Sequence, residues 1–276
     1  MTYTHLAISG GGTKGVSCIG SLLYLEKHDL ILNVSNILGT SVGAIIASLL
    51  TIYSVEYISK HLSILFCIDL NQIDLRLLFR RYGMLSKKPL IEKIEGLLLN
   101  TFPTSPTFIE LNRYSNKNLT ITALNLNTQT IEYFSHKTHP DMRVIDAISM
   151  SINIPILFEI ETYNNNLYID AAVIDNMSWN FYSKVPKAKK IGIYMTHSKQ
   201  QKSGSPITNL SSYMINILRC FYLTTVEKNE QFLLHENIII LKDETSVLDM
   251  YPSKDNIENM IKFGYYEMEL YLKKIM

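Results

Sequence analysis

The chain has 276 residues, 47% of them hydrophobic and 18% charged, with a formal net charge of +1. That apolar fraction excludes a disordered chain and can fill one large core, so a single domain over 1–276 is expected. The near-neutral charge gives no support to a nucleic-acid partner.

The first expected strand is Tyr3–Ile8, followed by Gly10-Gly11-Gly12-Thr13-Lys14-Gly15 and a helix over Val16–Glu26. Gly10, Gly12 and Gly15 fit a dinucleotide-binding fingerprint, but no acidic residue follows at the end of the second strand, and Asp29 comes too early. A P-loop fails as well, because Val16-Ser17 stands where Lys-Ser/Thr is required. What remains is bare backbone able to approach an anion closely. The second strand, Val34–Leu38, runs into Gly39-Thr40-Ser41-Val42-Gly43 and an apolar helix over Val42–Leu50. A serine on a sharp strand-to-helix turn, with glycine two residues away on each side, is a nucleophile elbow. The new helix also aims free N–H groups at the serine oxygen.

Leu30–Val55 carries no Asp, Glu, Lys or Arg and could pass for a membrane span, but the polar elbow in its middle favours a buried strand and helix. Helices are expected over Val55–Leu70 and Pro89–Leu99, with Arg76, Arg80, Arg81, Lys87 and Lys88 between them read as a solvated basic loop able to meet anionic headgroups. Strands follow at Leu119–Leu124 and Ile131–Ser135, then a helix at Asp141–Ser151, a short strand ending at Asp170, strands at Ile191–Thr196 and Asn237–Lys242, and a closing helix at Lys254–Ile275. Lys199–Pro206 is the most loop-like stretch. Leu210, Tyr213, Met214, Ile217, Leu218 and Phe221 share a helical face, read as a core face or the wall of an acyl channel. Strands alternating with helices predict an α/β three-layer sandwich, a mostly parallel sheet covered on both faces.

Ser41 needs a group to take its proton. Seven histidines are scattered outside any motif; in a Ser–acid–His order only His197 or His235 could serve. Asp170 closes a strand and opens the small-residue turn Ala171-Ala172, and a carboxylate ionised at pH 7 can accept the proton directly. Lys14 is read either as holding the glycine loop, polarising an ester carbonyl, or standing on the surface. Cys18, Cys67 and Cys220 are odd in number, widely spaced and without a metal-binding pattern, so no metal or cofactor is expected and a reducing, cytoplasmic compartment is. The opening Met1-Thr2-Tyr3-Thr4-His5 has no basic leader region, and no signal peptide is expected.

Three of these features in this order resemble the patatin-like phospholipases, lipid acyl hydrolases that work with a Ser–Asp dyad. They are the Gly10–Gly15 loop, the Gly39–Gly43 elbow with Thr40 before Ser41, and Asp170-Ala171-Ala172 in place of the family's Asp-Gly-Gly or Asp-Gly-Ala. Ile121–Thr128, Ala147–Pro155 and Asp175-Asn176 are similar to the stretches between and after them. The resemblance implies Ser41 as nucleophile, Asp170 as base, and an oxyanion held by backbone N–H groups of Gly11, Gly12 and Val42 within the loop Gly10, Gly11, Gly12, Thr13, Lys14 and Gly15. It also implies a phospholipid or other glycerolipid substrate met at a membrane or micelle surface by peripheral contact. The departure is Ala171, which keeps open a weakened or inactive lipid-binding homologue beside the hydrolase. A Ser–His–Asp esterase and an acyltransferase also remain open.

Overall fold

Alternation along the strands explains why the sheet has helices on both sides. In strand β1 (His5–Ile8), Leu6 and Ile8 enter one apolar cluster and Ala7 the other; in β2 (Asn36–Thr40) Ile37 and Leu38 divide the same way. The computed structural model describes residues 2–62, 65, 69–197, 206–244 and 252–275. The remaining strands are β3 (Gly83–Leu85), β4 (Asn118–Asn125), β5 (Thr130–Ser135), β6 (Ile156–Phe158), β7 (Glu161–Tyr163), β8 (Asn166–Ile169), β9 (Lys190–His197) and β10 (Ile238–Asp243). The helices are α1 (Gly15–Lys27), α2 (Val42–Leu50), α3 (Val55–Lys60), α4 (Leu75–Arg81), α5 (Lys88–Leu99), α6 (Phe108–Ser115), α7 (Val144–Ser151), α8 (Leu210–Leu233) and α9 (Lys254–Ile275).

The eight-stranded sheet has the order β10-β9-β1-β2-β4-β8-β7, with β5 also paired to β4. The five strands from β10 to β4 are parallel, and β5, β7 and β8 join antiparallel, so the sheet is mostly parallel as its alternating pattern suggests. The larger core lies under α1, α2, α7 and α9; the smaller one lies under α8 and the Met177–Tyr182 stretch. Helices α1 and α9 approach closely at small residues, where Ser21 Oγ donates to the Gly264 carbonyl at 2.8 Å. Every residue of α2 is buried. This accounts for the uncharged centre of the Leu30–Val55 run, and among the described residues no helix is long and apolar enough to cross a membrane.

Several elements differ from expectation. The helix expected over Val55–Leu70 is described only to Lys60, where His61 leaves helical geometry. The Asp141–Ser151 helix begins at Val144, because Arg143 is extended and its guanidinium reaches forward to Asp146 at 2.6 Å. The supposed loop around Arg76 contains α4, capped by Asp74, whose carboxylate accepts from the Arg76 amide. Helix α6 is an additional element, opened by a capping box at Thr107-Phe108-Ile109-Glu110 that forms in both directions. Strands β3, β6 and β7 have three residues each, too few for a periodic signal. Lys199–Pro206 lies outside the described residues except for Pro206, as does Cys67.

Candidate active site

The strand register brings Ser41 and Asp170 together. One edge of β4 is occupied by β5 from Thr120 to Asn125, so β2 and β8 must share the other. Strand β2 runs along it to the pair Thr40↔Thr122, and β8 takes over at Leu124↔Ile169. Thr40-Ser41 at the end of β2 therefore abuts Ile169-Asp170 at the end of β8. The Thr40 and Thr122 hydroxyls meet at 2.8 Å and pin this junction.

Ser41 has φ +56° and ψ −127°, a conformation an L-residue holds only under constraint. Such strain costs about 1–3 kcal/mol. Burial of Val42, Ile45, Ile46, Leu49 and Leu50 behind it is worth roughly 1.5–3 kcal/mol per side chain and holds the turn. The Ser41 amide donates to Ser151 Oγ at 2.9 Å, so α7 also fixes the turn. Ser41 is buried but for a small opening, at 7% exposure.

Asp170 is buried and caps a 3-10 turn over Ala171–Val173, its Oδ1 accepting from the Ala172 amide at 2.8 Å. Burial pushes its carboxyl up to about 6; the Ser41 hydroxyl, the Ala172 amide and the Lys87 ammonium pull the other way. Ala171 is fully buried within that turn and is not among the residues with positive φ. The alanine at this position therefore demands no left-handed backbone.

The glycine loop lies beside the pair because Gly10 lacks a side chain. A Cβ there would come 2.5 Å from Asn176 Oδ1 and 3.0 Å from Ser41 Cβ. The Gly10 amide donates to the Asn176 carbonyl at 2.9 Å, and Asn176 Nδ2 donates back to the Gly10 carbonyl at 3.2 Å. The Lys14 amide donates to the Gly11 carbonyl and that of Gly15 to the carbonyls of Gly12 and Thr13. Gly10, Lys14 and Gly15 thus have their N–H groups engaged. Among the described residues no hydrogen bond uses the amides of Gly11 or Gly12, and Gly12 takes φ +56°. Val42 opens α2, where first-turn amides have no helical partner.

Lys14 is buried, not on the surface, and its ammonium donates to the carbonyls of Thr196 at 2.9 Å and Asp243 at 2.5 Å. Those are the ends of β9 and β10, on the side of β1 away from Ser41. Lys14 therefore anchors the loop and does not reach an ester carbonyl. Burial pushes the ammonium down to about 8, partly offset by Asp243.

Lys87, read from sequence as part of a solvated basic loop, is buried. Its ammonium donates to Asn153 Oδ1 at 2.7 Å and pairs with Glu161 at 3.1 Å. Asn153 in turn accepts the Asp170 amide on its carbonyl at 2.9 Å and donates to the Tyr168 carbonyl at 2.9 Å. Lys87 thus supports the strand that carries Asp170 and places a positive charge near its carboxylate. No local pattern in the sequence marks Lys87, Ser151 or Asn153 as part of the site.

Of the histidines weighed as alternative bases, His235 lies past the end of α8, where its carbonyl accepts from Lys187 just ahead of β9. That is the opposite end of the parallel strands from Ser41. His197 ends β9, and its side chain lies outside the described residues. A cavity lined by Leu6, Glu26, Val34, Leu50 and Lys117 also opens at that opposite end and has no part in the Ser41 site.

A patatin-like phospholipase family model matches residues 6–180, spanning the glycine loop, the elbow and Asp170. The chain belongs to the patatin-like phospholipase family. It is 29% identical to Probable lipid hydrolase 463L of Invertebrate iridescent virus 6, over 99% of this chain and 89% of that protein. It is also 29% identical to an uncharacterised protein of Acanthamoeba polyphaga mimivirus, over 77% of this chain and 74% of that one. Its fold is similar to that of VipD from Legionella pneumophila, with TM-score 0.64 and 16% identity over 99% of this chain and 67% of VipD. ExoU of Pseudomonas aeruginosa, solved in complex with SpcU, gives TM-score 0.54 and 16% identity, and this chain spans 52% of it.

Proposed function

We propose that this patatin-like protein is a serine lipid acyl hydrolase that cleaves carboxylic ester bonds of phospholipids or other glycerolipids. The observation that carries this reading is the strained Ser41 at the end of β2, next to the buried Asp170 at the end of β8. With its carboxyl pushed up to about 6, Asp170 remains mainly ionised at pH 7 and is a stronger base than an ordinary aspartate. Ser41 Oγ attacks the ester carbonyl as its proton passes to Asp170. The developing oxyanion is held by the amides of Gly11, Gly12 and Val42. The C–O bond to the leaving alcohol breaks, and the alcohol takes the proton from Asp170. Water then attacks the acyl-serine with Asp170 again as base, releasing the fatty acid and restoring Ser41. Alanine at 171 is compatible with this chemistry, since the turn it occupies needs no positive φ.

The test is labelling with a fluorophosphonate probe alongside release of fatty acid from phospholipid and diacylglycerol dispersions. Labelling and release by the native chain, with both lost in Ser41→Ala, are expected. An unlabelled native chain, or a Ser41→Ala variant with full turnover, would end this reading.

A further inference from the structure

The exposed face of α8 is apolar where a surface helix should be polar. Leu210 and Tyr213 are each 51% exposed, Ile217 37% and Phe221 60%. They fall at intervals of three or four residues and form one stripe over three turns. Of the six residues the sequence placed on this face as core or channel wall, Met214 and Leu218 are partly buried and these four meet solvent. Arg219 is the single charged residue between Leu210 and Val226. Toward its C-terminus the helix packs on the site: Val226, on the far side from the stripe, is buried, and Thr225 Oγ1, one turn beyond Phe221 on the stripe's own side, donates to the carbonyl of Val173, three residues past Asp170. Ile174, next along that turn, is itself half-exposed. The apolar stripe is thus continuous with the rim of the Ser41–Asp170 site.

A second lobe adjoins it. Helix α8 packs on β6, β6 pairs with β3, and α4 leads directly into β3. Helix α4 buries none of its residues. Phe79 is 80% exposed and the following Tyr82 63%, while Arg76, Arg80 and Arg81 stand beside them. Apolar side chains bordered by arginines match an anionic bilayer, whose headgroups attract the cations while its acyl region takes the rings and aliphatic chains.

We propose that the solvent face of α8, with Ile174 and the α4 lobe, is the surface by which this protein docks on anionic lipid membranes. It lets a lipid pass into the Ser41 cleft without crossing water. The assignment rests on the lipid-hydrolase reading for its purpose, but docking itself requires no catalysis.

The experiment uses the full chain carrying Ser41→Ala, so that vesicles are not consumed. Flotation is measured with phosphatidylcholine vesicles with and without phosphatidylserine, for this protein and for added Ile217→Ser/Phe221→Ser or Arg76→Gln/Arg80→Gln. The first pair should weaken binding to both vesicle types by about 10- to 100-fold. The second should lose the phosphatidylserine and low-salt enhancement selectively. On the Ser41 background, Ile217→Ser/Phe221→Ser should lower turnover on vesicles in proportion to binding, with hydrolysis of a monomeric short-chain ester unchanged. Unaltered vesicle binding in the Ile217→Ser/Phe221→Ser variant would overturn the proposal. So would sedimentation showing a dimer that the same substitutions convert to monomers, since a second copy would then cover the stripe. Patch-dependent vesicle binding by a chain that hydrolyses no ester would sink the hydrolase reading and leave docking standing.

Discussion

Replacing Asp170 with asparagine should stabilise the fold while destroying its activity. The carboxyl is held at about 6 in the folded chain against an ordinary value of 3.8, chiefly because it is buried. At pH 8 the folded state must keep an ionised carboxylate in an apolar site, whereas the unfolded chain keeps it in water. A shift of about two units corresponds to about 3 kcal/mol of lost stability. The sign follows from the direction of the shift. Below pH 3.8 both states are protonated and nothing is lost. As pH rises from there to about 6 the unfolded chain ionises first, and the penalty grows until it levels off above the folded value.

Asp170→Asn keeps the oxygen that accepts the Ala172 amide and removes the charge. In urea or thermal unfolding at pH 8 the variant should be more stable by up to about 3 kcal/mol, or roughly 6–12 °C for a domain of this size. About half of that gain should remain at pH 5. Turnover on any ester substrate should fall about 100- to 10,000-fold, the typical contribution of a general base. In the native chain kcat/KM should drop as pH falls through about 6, where the base becomes protonated. A variant no more stable than the native chain at pH 8 would refute the burial argument. One that kept native turnover would remove Asp170 from the mechanism.

Lys87→Met removes the cation that favours ionised Asp170, so the acidic limb of the pH–rate profile should move upward with KM little changed; an unmoved limb would leave Lys87 a packing role. Gly10→Ala should drive a methyl group into Asn176 and Ser41 and cost about 100-fold in turnover, as a misplacement near 1 Å does, checked by kcat on a soluble ester. Ser151→Ala strands the buried Ser41 amide and should cost about 1–3 kcal/mol in urea unfolding. Ala171→Gly should leave kcat within error and lower stability by about 0.5–1 kcal/mol, because it loosens a turn that needs no glycine; a large gain in rate would instead mean that Ala171 displaces Asp170.

The parts of the site that sequence made legible are those that impose a local backbone demand. Ser41 on its turn needs glycine at 39 and 43 because helix and strand come into close contact there, and that need is written within five residues. The same holds for Gly10, where no Cβ fits. Helix α2 runs over Val42–Leu50 as expected, all of it buried, with its one polar side chain, Ser48, donating back to the Ala44 carbonyl. Lys87 was illegible for the opposite reason. Its neighbours in sequence are Arg80, Arg81 and Lys88, which share its charge, while its partners Asn153 and Glu161 are more than sixty residues away along the chain. Burial of one lysine among exposed basic residues depends on β3 pairing with β6, two strands too short to announce themselves.

The α8 stripe misled for a related reason. Spacing reports that apolar residues share a face, but it does not say what covers that face. Here the helix buries its other side, through Val226, and turns Tyr213, Ile217 and Phe221 outward. Asp170 shows the same limit in its electrostatics. Its type and its place at the end of a strand mark it as a base, yet an ordinary carboxylate near 3.8 would be a weak one at pH 7. The burial that strengthens it comes from the packing of α7, β8 and the glycine loop around the junction of β2 and β8. Sequence names the proposed proton acceptor; the three-dimensional packing sets how strong a base it would be.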